Sequence, residues 1–207
     1  MYLDYAEPTA NILNYTSPGY KAFPVEYDLQ EAKRLAHEVL GNKRCEITYC
    51  INGNEPLQKG EAELIAYWLQ DIGLDVKIQA IEYATLSKMM RKGDFNIVRI
   101  QKGLANGDPF SALYTFIMPD GALNVSNSSG YNNPEVTELM NKVKHITDEA
   151  ERQRVFDRVQ EIVVYEQPVI PLFNDMNIVA YNKRLKNYKP LIYGVDLSKV
   201  ELAEEND

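Results

Sequence analysis

The sequence predicts an α/β fold, with a mixed sheet built from successive βα units and helices on both faces of the sheet. Three observations predict it. Residues 44–51 alternate as a strand, residues 57–72 carry apolar side chains at helical spacing, and residues 74–80 alternate again, which is the pattern of a βαβ unit. A second unit follows, with a helix near 85–91 and a strand at 95–100. Because βαβ crossovers join parallel strands, we expect parallel pairing within these units.

The segments on either side set the expected domain boundaries. Residues 1–27 are rich in Tyr, Pro, Asn and Thr and show no period, which indicates an extended lead-in. Asp28 opens the first helix, because a Glu three residues later completes a capping-box pattern, and Gly41 ends it. We expect one α/β lobe at 28–195 and an acidic tail at 196–207.

The second half of the chain is expected to contain three helices, a long loop and two strands. Asp108-Pro109 is typical of an N-cap followed by Pro at the first helical position, and it predicts a helix up to residue 117. Residues 118–133, rich in Asn, Ser and Gly, predict a long loop. Two more helices are predicted at 134–145 and after Asp148, and two short apolar strands at 168–173 and 176–181.

Charge argues against a nucleic-acid-binding protein. The 207 residues carry a net charge of −8, and residues 196–207 hold five acidic side chains against one Lys, which is half of that excess. Duplex binding depends on several cationic contacts to phosphates. The local basic cluster Lys183, Arg184, Lys186 and Lys189 keeps an RNA-binding module open as a weak alternative to a solvated surface loop.

Catalytic and metal-binding patterns are missing from the sequence. It has no Gly-x-Ser-x-Gly, no His-Glu-x-x-His, no P-loop and no Gly-x-Gly-x-x-Gly. The two His residues lie outside any Cys/His cluster with zinc spacing. We therefore expect a protein that is not an enzyme and that needs no cofactor or metal. The rival hypothesis is a small hydrolase or transferase that uses Asp108 and His145.

A binding surface remains as the expected functional site. The 101–110 loop, the loop that ends in Gly130-Tyr131, and Arg99 at the end of a strand should meet at the carboxyl edge of the sheet, where open α/β sheets bind ligands. Arg99 is suited to pairing with a ligand carboxylate, or else forms an internal salt bridge. Asp108 is suited to accepting a hydrogen bond from an amine, or else is a plain N-cap. Tyr131 and Asn106 are suited to hydrogen bonding a peptide backbone.

Six collinear segments resemble the extracytoplasmic peptide-binding proteins of ABC importers, the oligopeptide, dipeptide and nickel-binding group. Each segment alone is weak evidence, but their common order along residues 20–190 is specific. The segments are Tyr27-Asp28-Leu29-Gln30-Glu31-Ala32, Ile72-Gly73-Leu74-Asp75-Val76, Gly93-Asp94-Phe95-Asn96, Asp108-Pro109, Gly130-Tyr131-Asn132-Asn133-Pro134-Glu135 and Pro168-Val169-Ile170-Pro171-Leu172-Phe173.

This resemblance implies a periplasmic-binding-protein-like lobe, the carboxyl-terminal one of two that close on a peptide or peptide-like ligand. It implies an extracytoplasmic parent protein, an ABC permease as membrane partner, and a signal sequence and an amino-terminal lobe that lie outside this chain. Many members carry Trp-x-x-Asp-Tyr before the Asp-Pro, and its Asp anchors the peptide amine. Those three positions are Lys102, Ala105 and Asn106 here. The anchoring carboxylate is therefore absent from its usual position.

Overall fold

The structure is a computed structural model that describes residues 5–103, 108–176, 178–191 and 196–203. The chain divides into two compact units. The first is Pro8–Leu172, and the second combines residues 5–7 with the described residues from 173 onward. Within the described ranges, no helix combines the length and the hydropathy needed to cross a membrane.

Seven helices and seven strands are assigned in the described part of the chain. In order they are β1 Ala6–Pro8, α1 Leu29–Leu40, β2 Cys45–Asn52, α2 Pro56–Gln70, β3 Leu74–Ile81, α3 Tyr83–Lys92, β4 Ile97–Val98, α4 Pro109–Ile117, α5 Ala122–Ser126, α6 Pro134–Val143, α7 Glu149–Glu166, β5 Phe173–Asp175, β6 Leu185–Lys186 and β7 Glu201–Leu202.

The first unit contains a sheet in the order β3-β2-β4, and both pairings are parallel. Side chains of β2 alternate between its faces. Tyr49 and Ile51 pack with Ala62 of α2, whereas Cys50 packs with Leu86 and Met90 of α3. Helices therefore cover both faces, and the predicted α/β class is confirmed.

The strand predicted at 95–100 is shorter in the structure. Only Ile97 and Val98 form β4, although the Arg99 amide still donates to the Cys50 carbonyl at 2.9 Å. On the other side, the side-chain oxygen of Asn96 accepts from the Thr48 amide at 2.8 Å. The prediction was too long because a side chain replaces a main-chain carbonyl there and ends the ladder.

A larger core lies among α4, α6 and α7. Its fully buried members include Leu113, Val136, Met140 and Val159, and Leu13 from the amino-terminal segment is also 0% exposed. The lead-in therefore contributes directly to the core of the first unit, although its sequence shows no period.

Buried polar side chains hold that segment on α7. Gln160 is 1% exposed, and its Oε1 accepts from Asn11 Nδ2 at 2.6 Å and from the Lys21 amide at 3.0 Å. Its Nε2 donates to the carbonyls of Gly19 at 2.8 Å and Phe156 at 3.0 Å. Three of these four hydrogen bonds join one residue of α7 to a stretch that has no regular structure of its own, and the fourth lies within α7.

Apolar residues at helical spacing do not fully mark the buried faces of α1 and α2. No residue of α1 is buried, and Val39 is 84% exposed. In α2 the predicted stripe members Leu64 and Trp68 are 44% and 52% exposed, while Gln58 and Glu61 are buried. The inward face of α2 is therefore set by small side chains that approach the sheet and by two polar groups near its amino end.

Two loop and strand predictions need correction. The segment 118–133 was predicted to be a loop, but it contains α5, whose Asn124 is buried and donates to the carbonyls of Met118 and Tyr131. The strand predicted at 168–173 is wrong up to Leu172, because Pro168 and Pro171 have no amide hydrogen to donate to a ladder.

In the described part of the second unit, the regular structure consists of short strands. Strand β1 pairs with β5, and β6 pairs with β7 in antiparallel fashion. The strand predicted at 176–181 is wrong over residues 178–181, all of which are described and none of which pairs. Within this unit, the rings of Tyr181 and Tyr188 meet edge to face with centroids 4.7 Å apart.

Candidate ligand-binding site

A cavity of about 420 Å³ lies at the carboxyl edge of the parallel sheet. It forms where β2 ends, where the chain leaves β4, and where α2, α3 and α5 present their nearest residues. Its lining consists of Asn52, Glu55, Gln58, Tyr83, Leu86, Ser87, Met90, Arg99, Ile100, Gln101, Lys102, Ser126 and Asn127. Most of these side chains are polar, and two apolar residues of α3, Leu86 and Met90, are buried beneath them.

The wall contributed by β2 and α2 is held by local hydrogen bonds. Pro56 is the first residue of α2, which suits a position whose amide would have no helical partner. Gln58 Oε1 accepts from the Asn52 amide at 3.2 Å. Gly53 is the residue after β2. A Cβ at this position would lie 3.3 Å from the Ala80 carbonyl carbon, so glycine lets the ends of β2 and β3 approach closely.

Helix α3 supplies the opposite wall. Its N-cap is Glu82, whose Oε2 accepts from the amides of Ala84 at 3.0 Å and Thr85 at 3.3 Å. The ring of Tyr83 is 56% exposed beside the cavity. Ser87 Oγ accepts a hydrogen bond from Arg91 at 2.7 Å, which fixes the orientation of the hydroxyl at the cavity wall.

Arg99 lines the cavity and is also engaged in a buried ion pair. Its Nε lies 2.5 Å from Glu61 Oε1 and its Nη2 lies 3.4 Å from Glu61 Oε2. Its Nη1 donates to the Ile100 carbonyl. The internal salt bridge, left open by the sequence as one alternative for Arg99, is therefore present in this structure.

Lys102 lines the cavity at the start of the loop that was predicted to bind ligand. Ala105 and Asn106, the next two predicted site residues, lie outside the described residues. Gln101, which the sequence did not single out, lies beside Lys102 in the lining.

Asp108 acts as the N-cap of α4. Its Oδ1 accepts from the Phe110 amide at 3.2 Å and its Oδ2 from the Ser111 amide at 3.1 Å. Among the described residues Asp108 is not part of the cavity lining. No hydrogen bond in the described part of the chain joins its carboxylate to His145, the partner that the rival enzyme hypothesis requires.

Tyr131 is held away from the cavity lining by a carboxylate. Its hydroxyl donates to Glu166 Oε2 at 2.5 Å, and Asn133 Nδ2 donates to the same carboxylate at 2.8 and 3.0 Å. Burial and the hydrogen bond to Glu166 raise the pKa of the Tyr131 hydroxyl above its ordinary value. Gly130 precedes it with φ of +67°, a left-handed conformation that favours glycine.

Buried Asn124 connects this loop to α5. Its Oδ1 accepts from Ser129 Oγ at 2.6 Å, and its Nδ2 donates to the Tyr131 carbonyl at 2.8 Å. The same helix carries Ser126, which lines the cavity, and Asn127 lines it directly after the helix. The segment that ends in Tyr131 therefore contributes Ser126 and Asn127 to the cavity, and the Tyr131 ring does not line it.

Of the predicted site residues, the structure brings Arg99 and Lys102 together at the cavity, and it places Asp108, Gly130 and Tyr131 elsewhere. Three positions were not predicted. Asn52 and Gln58 line the cavity, and Glu61 pairs with Arg99. The sequence did contain one signal for Gln58 and Glu61. Positions 58, 61, 62 and 65 are three or four residues apart, so Gln58 and Glu61 share the inward face of α2 with Ala62 and Ile65.

The parallel sheet, the helices on both of its faces and the polar cavity at its carboxyl edge define an α/β ligand-binding lobe. Over residues 1–124, more than half of the chain, the sequence matches the family described as bacterial extracellular solute-binding proteins, family 5 Middle. The chain belongs to this family.

Two similar proteins are periplasmic binding proteins by their printed names. The chain is 26% identical over 171 residues to the probable D,D-dipeptide-binding periplasmic protein DdpA of Escherichia coli, a match that covers 82% of this chain and 33% of that protein. It superposes on the periplasmic binding protein DppA of Helicobacter pylori, solved with the peptide STSA, with a TM-score of 0.81 and 28% identity over 97% of this chain and 40% of that one.

The fold also matches the ABC transporter substrate-binding protein CtaP of Listeria monocytogenes, with a TM-score of 0.83 and 23% identity over 97% of this chain and 42% of that one. The chain thus spans between a third and about two fifths of the length of these relatives. The comparisons support the solute-binding interpretation and give no support to the hydrolase or nucleic-acid alternatives.

Proposed function

We propose that this chain is the ligand-binding lobe of an extracytoplasmic solute-binding protein of an ABC importer, and that it captures a peptide or peptide-like ligand. The observation that carries the proposal is the polar cavity at the carboxyl edge of the parallel sheet. Family membership and the printed names of DdpA and DppA support it.

The cavity chemistry suits a peptide backbone. Asn52, Gln101 and Asn127 each carry an amide with donors and an acceptor, and Ser87 and Ser126 add hydroxyls. Such groups pair the alternating N–H and C=O groups of an extended chain. No reaction is required of them, and the lobe binds its ligand without transforming it.

The ligand contacts in this proposal begin with Arg99 and Lys102 in the cavity wall, and continue into the loop that holds Ala105 and Asn106. Asp108, Gly130 and Tyr131 stay in the proposed set although they lie outside the cavity lining, and in this proposal the closing lobe brings a part of the ligand against them. Because the carboxylate that anchors a peptide amine in related sequences is Ala105 here, this protein holds its ligand by other groups.

The partner set follows from the same proposal. An amino-terminal lobe completes the cleft, and an ABC permease receives the ligand. Both lie outside this chain. The parent protein acts outside the cytoplasmic membrane, as the family description states for its members.

Calorimetry with a mixed pool of tripeptides tests the proposal. One lobe supplies part of the contacts, so the isolated chain should bind the pool weakly, at best in the millimolar to high micromolar range. Submicromolar affinity of the isolated chain would contradict the two-lobe mechanism. Turnover of any peptide in the pool, read by mass spectrometry after incubation, would contradict a purely binding role.

A further inference from the structure

One acidic side chain sits directly behind the cavity wall. The Glu61 and Arg99 side chains are only 8% and 11% exposed, and their closest atoms are 2.5 Å apart. Nine other ion pairs among the described residues are formed by side chains that are at least 36% exposed. Solvent therefore screens the charges of the Glu61–Arg99 pair less than those of these nine pairs.

Glu61 offsets one of the positive charges in the cavity lining. Arg99 and Lys102 bring two positive charges to the lining, and Glu55 brings one negative charge. Glu61 brings the second negative charge through its contact with Arg99. A ligand carboxylate entering the cavity would meet an Arg whose positive charge is already offset at hydrogen-bond distance.

We propose that Glu61 determines the charge preference of the cavity. By engaging Arg99, Glu61 makes the cavity accept an uncharged, amide- or hydroxyl-bearing part of the ligand in place of a carboxylate. This inference rests on the proposed ligand-binding function and replaces the simple expectation that Arg99 pairs with a ligand carboxylate. Glu61 acts through Arg99 and is a positioning residue.

Removing the negative charge reverses the preference. Glu61→Gln keeps the shape of the side chain and one acceptor for Arg99, but it removes the negative charge that lies against the guanidinium in the wild type. Removing one partner of a buried ion pair is costly, and a small anion at the same place relieves part of that cost. The variant should therefore gain affinity for carboxylates.

The experiment titrates the chain with acetate and with acetamide, its uncharged analogue, at constant ionic strength. Two-dimensional NMR follows the Arg99 Nε–H signal and the amides of Asn52 and Asn127. The wild type should show no preference for acetate. E61Q should bind acetate at least about tenfold more tightly than the wild type does, the factor that about 1.4 kcal/mol of added attraction produces, and acetamide should bind both equally.

Matched variants separate charge from structure. Glu63 lies on the same helix with a side chain 60% exposed, so E63Q should leave the acetate response unchanged. E61D restores the negative charge and should restore the wild-type response, and the double variant E61Q/R99Q should lose the gained acetate binding. R99Q alone leaves Glu61 without its counter-charge and should instead gain affinity for methylammonium, a readout that stands even where E61Q folds poorly.

Three results would overturn the inference: saturable acetate binding at Arg99 in the wild type, an E61Q variant with no gain, or a gain that persists in E61Q/R99Q. Each of these three results tests only how Glu61 affects anion binding at Arg99. Failure of the proposed function would appear separately, as absence of peptide binding in the tripeptide titration.

Discussion

Replacing Gln160 by Leu tests whether the amino-terminal segment belongs to the lobe. Leu has a similar volume but none of the four hydrogen bonds of Gln160. Asn11 Nδ2 keeps its second acceptor, the Lys21 carbonyl at 2.8 Å, and the Gly19 carbonyl keeps a weaker donor from Gln153 at 3.2 Å. The Lys21 amide loses its partner in a partly buried environment.

These losses set the expected magnitude. A buried donor left without a partner costs about 1–3 kcal/mol, and each further lost hydrogen bond costs about 1 kcal/mol. Because Asn11 and Gly19 keep other partners, the total loss in free energy of unfolding for Gln160→Leu is about 3 kcal/mol. For a unit of this size that corresponds to a decrease in Tm of about 10 °C.

Urea unfolding followed by far-UV circular dichroism measures the difference. Gln153→Leu, on the same helix, is the matched control, because its only bond to the segment is the 3.2 Å contact to Gly19, and it should cost about 1 kcal/mol. If Gln160→Leu costs no more than Gln153→Leu, the segment is not part of the cooperative core and the reasoning is refuted.

Three further predictions concern the loops near the site. Gly121→Ala should destabilise the first unit by about 3 kcal/mol or more, because its Cβ would lie 2.3 Å from the Tyr114 carbonyl oxygen. Asp108→Ala should cost about 1 kcal/mol and Asp108→Asn much less, since both Asp and Asn cap helices well. The raised pKa of Tyr131 stabilises the fold below about pH 10, the ordinary Tyr value, and that contribution is lost as the pH rises through the folded pKa. Tyr131→Phe should therefore flatten the alkaline loss of stability.

Thermal and urea unfolding check all three. Gly103→Ala is the control for Gly121, because no atom of the described residues lies within 4 Å of a Cβ at Gly103. An unchanged Tm in Gly121→Ala would contradict the packing of the turn before α5. Equal stability of Asp108→Ala and wild type would mean that Asp108 is not needed as a cap. If stability falls equally steeply at alkaline pH in Tyr131→Phe and in the wild type, groups other than Tyr131 cause that fall.

Local signals in the sequence predicted well where helices begin. Asp28, Asp108 and Asp148 were each identified as N-caps, and each accepts a hydrogen bond from an amide in the first turn of its helix. Turn chemistry acts over a few residues, so a single sequence contains it. Strand β4 was overextended because the Asn96 contact with β2 is non-local.

The site was predicted only in part, for a related reason. Arg99 and Lys102 line the cavity at the predicted edge of the sheet because they follow a strand whose carboxyl end was recognisable. The inward polar face of α2 was missed because its apolar residues, Leu64 and Trp68 among them, suggested a different buried face. Helix periodicity states which residues share a face, but the partner that a face meets depends on tertiary packing.

The central claim is that the cavity at the carboxyl edge of the sheet is where this lobe contacts its ligand. The most direct test is a two-dimensional NMR titration of the chain with the tripeptide pool. The account predicts saturable shifts confined to amides around the cavity, those of Asn52, Gln101, Ser126 and Asn127. No saturable shift at these amides, or shifts that concentrate on residues 181–189 of the second unit, would contradict it.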